Sequence, residues 1–167
     1  CFDLDGVYFT PAGKKGFHDS LVNLGIPEEK VSYVLGKSPE MREFMKGKLS
    51  EEQFWGFVAR YFGVELRIDE FIDLMVHKYQ INEEVRATVQ KLRTQGYKTC
   101  VCSNNSISRI RGLQHKSNFL EDFDVVVFSH EVGFLKPDKE IFQELIKRAN
   151  VPAEEIVYSD DNPDRIQ

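Results

Sequence analysis

Hydrophobic residues recur at helical spacing from about residue 15 to residue 80 of this chain. Phe17, Leu21 and Leu24 stand at positions i, i+4 and i+7, and Gly25 follows where a helix can end. Residues 50–53, Ser-Glu-Glu-Gln, form a capping box, which predicts the start of a further helix. Other predicted helix ends are marked by Pro27, Gly36, Gly47, Gly63 and Asp69. Because the stretch shows no strand-like alternation, we predict a small bundle of helices here.

After residue 82 the pattern changes to helices that alternate with short apolar runs. Asn82 is a predicted N-cap, and the helix behind it ends at Gly96. The elements predicted next are a strand at 98–102, a basic helix near 106–115, a strand at 124–129, a helix at 138–149 and a strand at 156–159. Residues 1–9 are predicted to form a strand, its acidic end and an apolar exit. This alternation is typical of a parallel sheet with crossover helices, so the sequence predicts an α/β core with the helical block inserted after its first strand.

Composition and charge argue against several classes of protein. The chain has 167 residues, with 22 Lys and Arg against 27 Asp and Glu, and its net charge of −5 argues against a general nucleic-acid-binding surface. No apolar stretch approaches membrane-spanning length. Cys1, Cys100 and Cys102 are a sparse, odd set that fits a reducing cytosol, and we interpret the latter two as buried free thiols rather than a redox or metal pair. We therefore expect a cytoplasmic protein, monomeric or homodimeric, with neither nucleic acid nor membrane as a partner.

Polar side chains follow the ends of predicted strands at several points along the chain. Asp3 and Asp5 point to the same side of an extended strand, and Gly6 follows where the backbone must turn or approach a ligand. The later clusters are Ser103-Asn104-Asn105, Lys136-Pro137-Asp138 before a helix, and Ser159-Asp160-Asp161-Asn162. Because ligands bind at the carboxyl ends of the strands in an open parallel sheet, we expect these residues to meet in one crevice.

This set of residues suits phosphoryl transfer. A carboxylate that attacks a phosphate must overcome like-charge repulsion worth several kcal/mol in an effective dielectric of about 20. A divalent cation and a lysine relieve that repulsion. Hard oxygen ligands select Mg²⁺, for which Asp3 and Asp161 are well placed. Paired acids also suit glycoside hydrolysis, but that chemistry does not need a lysine and a serine at neighbouring strand ends.

The four polar clusters resemble, in order and spacing, the four motifs of the haloacid dehalogenase superfamily of phosphatases. The matching segments are residues 2–7, 103–105, 136–138 and 159–162, and the resemblance extends over essentially the whole chain. Residues 133–138 and the Asp-Asp-Asn ending look most like small bacterial sugar-phosphate phosphatases and the phosphatase domain of epoxide hydrolases.

The resemblance implies a three-layer, Rossmann-like parallel sheet with an inserted all-helical cap. Residues 1–13 and 81–167 are expected to form the α/β core, and residues 14–80 the cap. We also expect the complete protein to extend beyond both ends of the chain, because little of the first strand precedes Asp3 and a further helix is expected after Gln167.

The resemblance also implies a role for each motif residue. Asp3 is the expected nucleophile, which forms an aspartyl-phosphate, and Asp5 is the expected acid for the leaving oxygen and then the base for the attacking water. Ser103 is expected to hydrogen-bond the transferred phosphoryl group with help from the backbone N–H of Asn104, and Lys136 to bridge that group to Asp3. The expected ligands of the Mg²⁺ cofactor are Asp3, Asp5 through its backbone carbonyl, Asp160 through water or by orienting it, and Asp161. Asp5 is a second acid that the family's dehalogenases lack, which favours phosphate chemistry over halide displacement.

Each of these residues also has an ordinary structural interpretation. In that interpretation Ser103 caps the helix that follows it, and Lys136 is an ordinary surface lysine. Asp160 and Asp161 are able to cap the next helix. A calcium loop is disfavoured there because the required glycine and the distal glutamate are absent.

The cap is expected to select the substrate. Its candidate lining residues are Tyr8, Phe9, Lys14, Lys15, His18 and the Lys46-Gly47-Lys48 turn, whose basic members suit a sugar phosphate or another polyanion. Arg109 and Arg111 are interpreted as a solvated helix face rather than a phosphate clamp. Trp55 and its neighbours Phe54 and Phe57 are interpreted as cap core.

We therefore predict a Mg²⁺-dependent phosphomonoester hydrolase that acts on a small phosphorylated metabolite. One alternative is a phosphomutase, in which the cap returns the phosphoryl group to the substrate. Another is a non-catalytic domain that binds a partner or effector through the same site.

Overall fold

The computed structural model describes residues 1–65 and 67–165, which form an α/β structure. Its helices are α1 (Ala12–Asn23), α2 (Glu28–Gly36), α3 (Pro39–Met45), α4 (Glu51–Phe62), α5 (Ile68–Val76), α6 (Glu83–Thr94), α7 (Ile107–Ser117), α8 (Ser129–Val132) and α9 (Lys139–Ala149). Its strands are β1 (Cys100–Ser103) and β2 (Val125–Phe128). Short 3-10 helices occupy Phe119–Asp122, Ala153–Glu155 and Pro163–Arg165. Among the described helices, none is both long and apolar enough to cross a membrane.

The sheet is parallel, and β1 lies in its interior with a neighbour on each edge. Strand β2 pairs with one edge of β1, with Cys100 opposite Val125. On the other edge Phe2 forms a parallel bridge to Val101, and Phe2 also bridges to Ser159. The order across the sheet is therefore β2, β1, the segment around Phe2 and the segment around Ser159. The last two segments come from opposite ends of the chain. Because they run parallel, their carboxyl ends lie side by side.

Two predicted strands are shorter in the structure than in the sequence analysis. Past Asp3 the chain turns, because the Gly6 N–H donates to the Phe9 carbonyl at 2.9 Å and the Phe9 N–H donates to the Leu4 carbonyl at 2.7 Å. The segment at 156–159 pairs through a bridge at Ser159 alone. The predicted parallel direction is therefore confirmed, whereas the predicted strand length is too long at both places.

Side chains of β1 alternate between the two faces of the sheet. Val101 packs in one hydrophobic cluster with Val89 of α6 and Leu113 of α7. Cys100 and Cys102 point to the opposite face, where they pack with residues of α9. Helices thus cover both faces, and the predicted three-layer parallel architecture is confirmed. Both cysteines are buried free thiols, as expected, and burial raises the pKa of Cys102 to about 12.

Helices α1 to α5 enclose a hydrophobic cluster of their own. The rings of Phe44 and Phe54 stack with centroids 4.2 Å apart, and those of Trp55 and Phe71 stack at 4.7 Å. The interpretation of Phe54 and Trp55 as packing residues is confirmed. The limits of the core and cap domains stay a prediction.

Helix ends follow local hydrogen-bonding signals in most places. In the Ser50 capping box the Gln53 N–H donates to Ser50 Oγ at 3.2 Å, and the Ser50 N–H donates to Gln53 Oε1 at 2.8 Å. Asn82 caps α6 as predicted. Asp69 is not a cap, since α5 begins one residue earlier and Asp69 lies in its first turn. Leu24 follows the end of α1 and is 53% exposed, so it does not extend the apolar face of that helix.

Helix α7 joins the helical block to the sheet. The indole Nε1–H of Trp55 donates to Ser108 Oγ at 2.9 Å, and that hydroxyl donates to Glu51 at 2.6 Å. Lys116 Nζ donates to the carbonyls of Val76, His77 and Tyr79, the residues at and just beyond the end of α5. These contacts tie the helical block and the chain after α5 to α7.

Candidate active site

Four of the predicted site residues meet at the carboxyl edge of the sheet. Asp3 is 2% exposed, and its Oδ1 accepts a hydrogen bond from Ser103 Oγ at 2.6 Å. Lys136 Nζ lies 3.0 Å from the same oxygen. Asp160 lies beyond Lys136, with its Oδ2 2.6 Å from Nζ. The expected convergence of distant segments is therefore present.

Lys136 is a fully buried cation rather than a surface lysine, since its side chain has an exposure of 0%. Besides the two carboxylates, Nζ donates to the Tyr158 hydroxyl at 2.6 Å, and that hydroxyl donates to Asp160 Oδ2 at 2.7 Å. Burial raises the pKa of Tyr158, which keeps it a donor. Burial also opposes ionisation of Asp160, but hydrogen bonds from Lys136 and Tyr158 outweigh it and hold the pKa of Asp160 below its usual range.

The loop after β1 positions the backbone of Lys136. The Lys136 N–H donates to Asn104 Oδ1 at 2.7 Å, and Asn104 Nδ2 donates to the Lys136 carbonyl at 3.1 Å. The peptide bond between Lys136 and Pro137 is cis. Asn104 also borders the cavity described below, and its predicted contact with substrate stays a prediction.

Ser103 does not cap the next helix, because α7 begins later and is capped by Ser106. Its hydroxyl is instead committed to Asp3. The capping interpretation of Ser103 was therefore wrong, and its side chain is part of the site through its hydrogen bond to Asp3.

Asp5 takes part in a second buried group beside the first. Its Oδ2 lies 3.0 Å from Arg109 Nη1 and 3.2 Å from Lys14 Nζ. Burial opposes ionisation of Asp5, but the charges of Arg109 and Lys14 outweigh it and hold the pKa of Asp5 below its usual range. The interpretation of Arg109 as part of a solvated face is wrong, since its side chain is 12% exposed. Arg111 does fit that interpretation, since it is half-exposed and pairs with Glu51.

Sequence reasoning missed Tyr79, Tyr158 and Arg165 in this region, and it misassigned Arg109; Arg165 Nη1 lies 3.6 Å from Asp3 Oδ2. The Tyr79 ring lies 5.8 Å from the Arg109 guanidinium carbon and is itself 2% exposed. Neither tyrosine carries a motif signal. The position of Arg109 in the first turn of the helix after Ser103 was a usable signal, because that turn starts at the carboxyl edge of the sheet.

Three carboxylates form a group able to hold a metal ion. One oxygen each from Asp3, Asp160 and Asp161 lies within 4.8 Å of the others. Gly6 adjoins this group at a φ of 83°, and a Cβ placed there would collide with the Asp161 carboxylate. Glycine therefore keeps open the space that Asp161 occupies. A cluster of hard anionic oxygens fits Mg²⁺ well, whereas the Asp5 side chain is engaged with its two cations.

A cavity of about 880 Å³ opens over Asp3 and Asp5. Of the expected lining residues, Lys14, Lys15 and His18 border it, and Lys37 and Arg42 add further positive charge. Tyr8 and Phe9 were wrong as lining residues, because they are 0% and 1% exposed and pack in the core under the sheet. Lys46, Gly47 and Lys48 are not among the described residues that border the cavity.

Several known proteins are similar to this chain in sequence. The chain is 25% identical to mouse bifunctional epoxide hydrolase 2 over 181 residues, covering 96% of this chain and 32% of that protein. It is 31% identical over 84 residues to human haloacid dehalogenase-like hydrolase domain-containing protein 3, covering 50% and 33% of the two chains. The chain thus spans about a third of the length of the epoxide hydrolases it matches.

Solved structures share the fold. A HAD-like family hydrolase from Porphyromonas gingivalis superposes with a TM-score of 0.78 at 24% identity, covering 99% of this chain and 82% of that one. A HAD family enzyme from Bacteroides thetaiotaomicron, in complex with magnesium and inorganic phosphate, superposes with a TM-score of 0.84 at 19% identity, covering 98% and 84%. The sequence model of haloacid dehalogenase-like hydrolases matches residues 1–167, and this chain belongs to that family of hydrolases.

Proposed function

We propose that this chain carries a Mg²⁺-dependent phosphomonoesterase site that acts on a small phosphorylated metabolite through an aspartyl-phosphate. The observation that carries the proposal is the buried Asp3 carboxylate, whose Oδ1 is held by Ser103 at 2.6 Å and by Lys136 at 3.0 Å. The family and the relatives that share this fold support it.

The two oxygens of Asp3 have different surroundings. Oδ1 is engaged by two donors, whereas within the described part of the chain Oδ2 receives no hydrogen bond and lies 3.6 Å from the Arg165 guanidinium. Oδ2 is therefore the oxygen that we assign as the nucleophile. Ser103 and Lys136 fix its direction and offset negative charge as it approaches phosphorus.

In the first step a bond forms between Asp3 Oδ2 and phosphorus, and the bond from phosphorus to the leaving oxygen breaks. Asp5 is ionised in the free site, so it takes up the proton that the ester carries as a monoanion and passes it to that oxygen, and a neutral alcohol departs. In the second step a water oxygen attacks phosphorus, Asp5 takes a proton from that water, and the bond to Asp3 breaks to release phosphate. Mg²⁺ held by Asp3, Asp160 and Asp161 would supply positive charge that offsets repulsion between the phosphate and the carboxylates.

The cavity supports a small anionic substrate. Its volume of about 880 Å³ lies in the range of small-molecule sites. Lys14, Lys15, Lys37 and Arg42 border it and favour an anion. The Mg²⁺ requirement, the cytoplasmic location and the monomeric or homodimeric state stay predictions.

The test is phosphate release from an aryl phosphate by the wild-type protein and by Asp3→Asn, with Mg²⁺ and with EDTA. We expect turnover only by the wild type with Mg²⁺, because an amide is not a nucleophile at phosphorus. The exposed Asp69 provides the control, and Asp69→Asn should match the wild type. Equal turnover by Asp3→Asn would remove Asp3 from the mechanism, and isomerisation of a sugar phosphate with little phosphate release would favour the mutase alternative.

A further inference from the structure

Asp5 has one engaged oxygen and one free oxygen. Oδ2 contacts Arg109 at 3.0 Å and Lys14 at 3.2 Å. Within residues 1–65 and 67–165, the buried Oδ1 has no hydrogen-bond partner, and the Tyr79 hydroxyl, which also has none, lies near the same carboxylate and helps to lower the pKa of Asp5. Asp5 borders the cavity above Asp3, so its carboxyl group lies beside the place where an ester would bind.

Of the two cations, Arg109 is the one that is itself held in place. Its side chain is 12% exposed, whereas that of Lys14 is 55% exposed. The Tyr79 ring packs against the guanidinium at 5.8 Å, and α7, which carries Arg109, begins at a capped N-terminus. A buried arginine between an aromatic ring and a carboxylate has few alternative conformations, so it restrains the carboxylate that it contacts.

We propose that Arg109 is a positioning residue for Asp5, which holds Asp5 Oδ2 and so directs the Asp5 carboxyl group toward the leaving oxygen of the bound ester. This inference rests on the proposed function. Arg109 acts through Asp5 and does not itself contact the phosphoryl group. The proton that reaches the leaving alcohol comes from Asp5, and Arg109 keeps its own protons throughout.

The proposal predicts an effect that depends on the leaving group. An alkoxide needs a proton as it leaves, whereas nitrophenolate departs readily without one, so misplacement of the acid slows only the alkyl ester. The value of kcat/KM is the appropriate measure, because it reports the steps up to leaving-group departure and omits the later role of Asp5 as a base. A displacement of about 1 Å costs about a hundredfold in rate.

The experiment compares kcat/KM for p-nitrophenyl phosphate and for an alkyl phosphate such as glycerol phosphate. For Arg109→Gln we expect a loss of about 10- to 100-fold on the alkyl ester and less than about threefold on the aryl ester. Arg109→Lys, which retains a cation, should recover part of the alkyl activity and also serves if Arg109→Gln does not fold. Arg111→Gln, two positions along the same helix and paired with Glu51 on the surface, is the matched control and should leave both values unchanged.

A double variant tests whether Arg109 acts through Asp5. Adding Arg109→Gln to Asp5→Asn should cause no further loss on the alkyl ester, because the acid is already absent. Equal losses on both esters, or a further loss in the Asp5→Asn background, would overturn the proposal and place Arg109 on the phosphoryl group or in the fold. Absence of turnover of either ester by the wild type with Mg²⁺ would instead overturn the proposed function.

Discussion

Replacement of Lys136 by methionine tests the charge balance of the site. Lys136 Nζ lies 3.0 Å from Asp3 and 2.6 Å from Asp160, and both carboxylates are almost wholly buried. Asp161 adds a third negative charge within 4.8 Å, and Arg165 is a more distant cation, 3.6 Å from Asp3. Methionine has a similar length and no charge, so it removes the ion pairs with little change in volume.

The expected loss of stability is large. Two like charges 4.8 Å apart repel by about 3 kcal/mol at an effective dielectric of about 20. Removal of one partner of a buried ion pair costs about 3–5 kcal/mol in comparable cases. Because the whole free energy of unfolding of a domain is about 5–15 kcal/mol, Lys136→Met should lose a substantial part of it. Mg²⁺ should reduce the deficit by about 1 kcal/mol or more, since it binds the more negative site of the variant better.

The assay is urea denaturation at neutral pH, followed by far-UV circular dichroism, in EDTA and in Mg²⁺. Lys139→Met is the control, because Lys139 is an exposed lysine at the start of α9 and should change stability by less than about 0.5 kcal/mol. A deficit below about 1 kcal/mol in EDTA would refute the charge-balance reasoning. A deficit of the expected size that Mg²⁺ leaves unchanged would refute the assignment of these carboxylates as metal ligands.

Two further predictions concern Gly6 and Asp124. Gly6→Ala should raise the Mg²⁺ concentration that gives half-maximal activity at least about tenfold, because its Cβ displaces the Asp161 carboxylate. The control is Gly25→Ala, because Gly25 has a similar φ of 86° and open surroundings, so this variant measures the backbone strain of about 1–2 kcal/mol alone. A Mg²⁺ titration decides this, and equal behaviour of the two variants in that titration would contradict it. Hydrogen bonds from Thr99 hold the pKa of Asp124 below its usual value, so Asp124 stabilises the fold above about pH 4 and that contribution disappears as the pH falls through its folded pKa. Asp124→Asn should therefore be less stable than wild type by up to about 1 kcal/mol at pH 7, with the difference shrinking toward pH 3 in urea denaturation; a difference that grows on acidification would contradict the sign.

Local signals in the sequence predicted most element boundaries. Ser50 and Asn82 were identified as caps because their partners lie within three residues, so the hydrogen bond is visible in the sequence itself. Leu24 and Asp69 were misplaced because a periodic pattern does not show at which residue a helix starts or stops. The strand predicted at 156–159 became a single bridge, since pairing length depends on how far the neighbouring segment around Phe2 stays extended.

The sequence by itself determined which chemical groups the site contains: two acids after the first short strand, a hydroxyl, a lysine and two further acids, in an order that indicates the family. Only the tertiary structure decided which oxygen of each carboxylate is engaged and which is free. Ser103 and Asp3 are 100 positions apart, and Arg109 lies 104 positions from Asp5, so no local pattern encodes these contacts. Their geometry follows from packing of the whole sheet and its helices, which places strand ends and the first turn of α7 at one edge.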